Sequence, residues 1–134
     1  MDDQTPSIIS VPLPSSSQSS AAKSATILAW SLAIVLFYFG LNEVLSPQDW
    51  ITFAPAFLGT GSLAISLVIL HGILLSTTGV ALVVNYYRKL TSAVVALLLF
   101  EILANLITQS GFSDIVIRDI GILGAAIALF FMPS

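Results

Sequence analysis

Residues 62–84 read SLAISLVILHGILLSTTGVALVV, and this stretch decides the fold. It carries no formal charge and is long enough to cross a bilayer, which takes about 17–25 mostly apolar residues. Three more apolar runs flank it: 25–41 ATILAWSLAIVLFYFGL, 91–108 TSAVVALLLFEILANLIT and 115–132 IVIRDIGILGAAIALFFM. In lipid every backbone amide needs an internal partner, so such runs are helices unless they close a barrel. They lack the two-residue alternation of a barrel strand. The fold expected is an all-α membrane protein. It is an antiparallel four-helix transmembrane bundle over 23–134, with spans at about 25–42, 62–84, 91–109 and 115–132.

Composition points the same way. The chain has 134 residues, 57% hydrophobic and 8% charged, with a mean hydropathy of +1.01. A typical soluble domain is about 25% charged, and a fold this small cannot hide so much apolar surface from water. With no cysteine and a single histidine, disulfides, thiolate metal sites and an intramolecular bis-histidine haem are excluded. Four basic against seven acidic residues give a net charge of −3. No basic cluster exists to follow a nucleic-acid backbone.

Residues 1–22 are rich in Ser, Pro, Thr and Gln and read as a disordered tail. Asp2 and Asp3 stand where a signal peptide would carry positive charge. Lys23, Arg88 and Lys89 fall on one side of the spans and Arg118 on the other, which orients both termini toward the cytoplasm of a cell-membrane protein. In the first outer loop, Ser46-Pro47-Gln48-Asp49 has the form of a helix start, with a capping box closed by Asp49. The helix ends before Pro55. With Trp50, Phe53 and Ala54 along one side, it is expected to rest on the bilayer surface.

The informative residues are those that cost energy in lipid. A carboxylate at a helix centre costs about 2.5–3.5 kcal/mol on insertion scales. His71 and Glu101 lie at similar depth on consecutive antiparallel spans, so a His71–Glu101 hydrogen bond is expected, as a structural pair, a proton relay or a clamp on a polar head. Glu101, Asn105, Thr108 and Gln109 form a polar stripe on span three. Ser31, Tyr38 and Asn42 form another on span one, and Glu43 follows them. The topology gathers Asn42, Glu43, Gln109, Arg118 and Asp119 at the outer end, where Glu43, Asp114 and Glu101 are the expected partners of Arg118. His71 and Glu101 alone supply too few ligands for zinc. Gly72, Ser76 and Gly79 on span two, and Gly121, Ala125 and Ala128 on span four, offer small-residue faces to the chain's own helices or to a second copy.

Phe39-Gly40-Leu41-Asn42, then Ser46-Pro47-Gln48-Asp49-Trp50, and the segment Ile117-Arg118-Asp119-Ile120-Gly121-Ile122-Leu123-Gly124-Ala125-Ala126 resemble the DoxX-like small membrane proteins. The resemblance covers Ala25–Met132 and is most specific from Arg118 to Leu129. Glu43 stands where many members carry Lys, Leu75 near a position that is often acidic, and Glu101 where several carry His. The resemblance implies a four-helix membrane bundle. It also implies association with quinone-linked redox complexes, such as thiosulfate:quinone oxidoreductase or a quinol oxidase. On this reading the chain is an accessory subunit of a membrane oxidoreductase. Its partners are the bilayer and other membrane or redox subunits, and a quinone is the cofactor in view. The alternatives are a small transporter or channel element with a path at Glu101, Asn105 and Gln109, and a structural membrane protein.

Overall fold

A computed structural model describes residues 15–132. Among these residues the chain is helical throughout, without strands. Five α-helices follow in order: α1 (Ser15–Leu45), α2 (Pro47–Trp50), α3 (Ser62–Val83), α4 (Arg88–Ser110) and α5 (Asp114–Phe131). Two 3-10 turns, Ile51–Phe53 and Ala56–Leu58, lie between α2 and α3. By length and composition α1 (from Gln18), α3 and α4 can each cross a membrane. The fourth long helix, α5, carries Asp114, Arg118 and Asp119 in its first two turns, which sets it apart from the other three.

The first helix starts at Ser15, inside the stretch read as a tail, and 1–14 lie outside the described residues. Just beyond that stretch, Ser24 and Thr26 donate their hydroxyls back to the Ser20 and Ala22 carbonyls, at 3.1 and 3.0 Å, which adds side-chain bonds to the helix within it. Composition alone reads such a stretch as unstructured.

The four long helices make a ring of neighbours, α1 on α3, α3 on α4, α4 on α5 and α5 on α1. The core draws Ala29, Leu32 and Leu36 from α1, Leu75 and Leu82 from α3, Val95 and Leu99 from α4, and Ala126 and Leu129 from α5. Outside it large apolar side chains face away from the protein, among them Ile27, Ile34, Leu63, Phe100 and Ile117. Exposed apolar surface on this scale fits hydrocarbon, not water.

The helices form two tight pairs, α1 with α3 and α4 with α5. Glycine makes the first pair. A Cβ on Gly40 would sit 2.5 Å from the Gly72 carbonyl oxygen, and one on Gly72 would sit 2.6 Å from the Gly40 oxygen. Gly79 repeats the approach against the Ala33 carbonyl. Without a hydrophobic drive between helices in lipid, such backbone proximity is what holds a pair together. The small face of span two therefore packs inside the chain. On α5, by contrast, Gly121 and Gly124 have open space beside them.

The crossing also sets the register. Gly40 and Glu43 meet Gly72, so α1 ends beside the middle of α3. The segment 46–61 fills the space beyond that end. Ser46 stands at the N-cap of α2, but its side chain makes no cap hydrogen bond, so the expected capping box does not form. Pro47 sets the first turn and the Asp49 amide bonds the Ser46 carbonyl. Helical structure stops at Ala54, whose extended backbone (ψ 155°) is what a following proline requires. Trp50 packs edge-on against Phe39 of α1 at 5.7 Å, which ties the loop to the bundle.

Candidate functional site

Three helices each bring one ionisable side chain to a single row. Glu43 comes from the last turn of α1, His71 from the middle of α3 and Glu101 from α4. A carboxylate offers only acceptors, so the His71 Nδ1–H donates to Glu43 Oε2, at 2.8 Å. Glu43 is 5% exposed despite its position near a helix end, because the register sets it against α3. The other ring nitrogen, Nε2, is buried without a hydrogen-bond partner. It lies 3.7 Å from Glu101 Oε2, within ion-pair range but beyond a hydrogen bond.

This corrects the expected His71–Glu101 hydrogen bond: His71 bonds Glu43, and Glu101 is its more distant neighbour. Counting residues along each span gives depth, but it misses the register that the Gly40–Gly72 crossing imposes.

Arg118 also departs from expectation. Its Nε donates to Asp119 Oδ1 at 2.8 Å, and its guanidinium lies over the Phe39 ring at 5.4 Å. Among the described residues it pairs with none of Glu43, Asp114 and Glu101. Asp119 is buried and Arg118 half exposed, so the pair stands at the edge of the bundle interior.

The polar stripe of α4 divides in function. Asn105 donates its Nδ2 to the Phe53 carbonyl, and Gln109 donates to the Ala54 carbonyl at 2.9 Å and to Asn105 Oδ1 at 3.1 Å. These amides hold the loop 51–54 against α4. Thr108 bonds back to the Asn105 carbonyl. Only Glu101 in this stripe remains for other partners. Asn42 stays on its own helix, donating to the Tyr38 carbonyl at 2.7 Å, and does not join the site.

Between the two helix pairs lies a half-open cavity of about 820 Å³. Its walls are apolar: Leu67, Leu70 and Leu74 of α3, Leu97 and Leu98 of α4, and Ile115 and Ile122 of α5. Phe39, Trp50, Phe53 and Phe57 supply an aromatic end, and Glu43, His71, Glu101, Arg118 and Asp119 supply its ionisable groups. Leu67, Leu70, Leu74, Leu97 and Glu101 line the cavity and are also exposed, so it opens sideways between α3 and α4. A volume of about 300–1,000 Å³ with few polar groups is typical of small-molecule sites.

The sequence places Trp50 and Phe53 on a loop helix expected to rest on the bilayer surface, and no spacing there signals Phe39 as a neighbour. In the structure Trp50 packs against Phe39 and all three rings line the cavity. No family model, curated protein or solved structure matches the chain.

Proposed function

We propose that this chain is an integral membrane protein that binds a lipophilic small molecule with a polar head, admitted from the side between α3 and α4. One observation carries the reading: an apolar cavity of about 820 Å³ whose polar end is the Glu43–His71–Glu101 row. Intramembrane ionisable residues are costly, and when they gather at a cavity they mark function. The DoxX-like resemblance supplies the finer part of the proposal. In it the ligand is a quinone, and the chain is an accessory subunit of a membrane oxidoreductase with α5 as a fourth span and both termini cytoplasmic.

The residues fit such a ligand. The leucines of α3 and α4 suit an isoprenoid tail. At the polar end His71 Nε2 is buried without a partner, and Arg118 lines the wall with N–H groups beyond the Nε used by Asp119. A bound quinone would supply two-electron, two-proton redox chemistry. The chain's own part is to receive the head at Arg118, and at His71 when Nε2 also carries a proton, to hold the imidazole through Glu43, and to shelter the tail.

The test is binding of a decyl benzoquinone to the purified protein in nanodiscs, followed by quenching of tryptophan fluorescence. Saturable quenching that Trp50→Phe abolishes and His71→Leu weakens about tenfold supports the reading. Quenching that is linear in quinone, as in empty bilayer, counts against it. For the oxidoreductase role, a chain that isolates from native membranes alone and without quinone removes that part. The absence of cysteine makes single-cysteine labelling at Lys23 and Lys89 a direct check of orientation.

A further inference from the structure

The charge inside the cavity is unbalanced. Three carboxylates, Glu43, Glu101 and Asp119, face one guanidinium and one imidazole. The guanidinium is engaged by Asp119, and the imidazole donates to Glu43. That leaves Glu101, for which no hydrogen bond is present among the described residues and whose nearest partner is His71 Nε2 at 3.7 Å. Its side chain is 54% exposed at the mouth of the cavity, in a helix long and apolar enough to cross a membrane. A carboxylate in that position lowers its energy by taking a cation.

The wall beside it suits one. Asn105, one turn along α4 from Glu101, is bonded to the loop that carries Trp50 and Phe53. Aromatic faces attract cations, tryptophan most strongly. The cavity already seats one planar cation on such a face, since the Arg118 guanidinium lies over Phe39. Trp50, Phe53 and Phe57 line the same cavity as Glu101 and the leucines of α3 and α4.

We infer that the cavity binds lipophilic organic cations, with Glu101 as counter-charge and Trp50, Phe53 and Phe57 as the aromatic wall. The inference rests on the reading of the cavity as a site for lipophilic molecules, and is independent of the quinone assignment. The apolar body lies along the leucines, and the cationic centre sits between Glu101 and the rings. Selectivity comes from sign: a lipophilic anion of the same shape is repelled by the same carboxylate.

Tetraphenylphosphonium and tetraphenylborate have nearly the same shape and opposite charge, and they make the test. Binding of each is measured to protein in nanodiscs of neutral lipid, with empty nanodiscs subtracted, and decyl benzoquinone is a neutral third probe. The expected result is saturable binding of the phosphonium, at least about tenfold tighter than the borate. Glu101→Gln removes most of that preference and Glu101→Asp keeps it. Trp50→Leu weakens the phosphonium about fivefold without inverting the preference. Equal binding of the two ions, or phosphonium binding indifferent to Glu101→Gln, overturns the inference. If the quinone then still binds, the cavity takes neutral lipophiles and the proposed function stands. If no probe binds saturably, both fall.

Discussion

The two ends of this bundle are built on opposite principles. Toward the α3–α4 link, Ala25, Ala29, Leu82, Val95 and Leu129 are buried to 3% exposure or less, and the helices pack closely around them. Toward the loop 46–61, the same helices part around a cavity of about 820 Å³ and leave Glu101 at its mouth. One end is a clamp, and at the other the loop 46–61 fills only part of the space between the helices. In lipid, where apolar side chains gain little by leaving the solvent, close packing must supply the stability. The dry end and the glycine crossing are therefore what allow the other end to stay open.

The largest effect should come from the crossing itself. Leucine at Gly40 would drive a Cβ to within 2.5 Å of the Gly72 carbonyl and 2.8 Å of the Ser76 amide nitrogen. Backbone on the far side cannot rotate away, so the pair must separate. We expect Gly40→Leu to cost about 3 kcal/mol or more, seen as loss of monodisperse protein and a lower denaturation midpoint in detergent. Gly121→Leu, with open space beside it, should leave the midpoint unchanged. Equal behaviour of the two variants would show that the α1–α3 crossing is no tighter than the open face of α5.

Next comes the buried pair that marks the boundary between the ends. His71→Leu leaves Glu43, 5% exposed, without its hydrogen-bond partner. Removing one member of a buried pair costs about 3–5 kcal/mol, and water entering through the half-open cavity should hold the loss to the lower figure. Glu43→Leu combined with His71→Leu should recover most of that loss, because no unpaired carboxylate remains. The measurement is a double-mutant cycle on the denaturation midpoint, and strict additivity would show that the two side chains act separately.

The same boundary shows what can be read from sequence. Hydropathy reveals 62–84, because twenty-odd apolar residues without charge have one stable setting. The face of Gly72 and Gly79 is legible too, since glycines spaced about two turns apart in a lipid helix mark a close approach. The pairing of Glu43 with His71 is not. It depends on how far α1 slides along α3, and that offset is fixed by Gly40 meeting Gly72 and by a loop folded into the gap. No local pattern at Glu43 records either. The stripe Glu101, Asn105 and Gln109 is visible as spacing, but the acceptors of Asn105 and Gln109 are backbone carbonyls of Phe53 and Ala54, and a carbonyl has no side-chain signature.

The smallest effect expected is at those two carbonyls, and it bears on whether the loop or the helices hold the cavity open. Asn105 and Gln109 join α4 to 53–54 through two hydrogen bonds and brace each other with a third. A typical intramolecular hydrogen bond contributes about 1 kcal/mol net. Asn105→Leu removes the first bond and the brace but leaves Gln109 in place, so the loop should loosen by about that amount without unfolding the bundle. The amides of Ala54 and Leu58, bonded to the Ile51 and Pro55 carbonyls, report on the loop, and the Tyr86 amide, bonded to Ala81, reports on the opposite end. Hydrogen exchange at Ala54 and Leu58 should speed up about fivefold in Asn105→Leu, while exchange at Tyr86 stays as it was. Faster exchange at all three would mean that the amide of Asn105 supports the whole bundle, and the division into a clamped end and an open end would fail at its boundary.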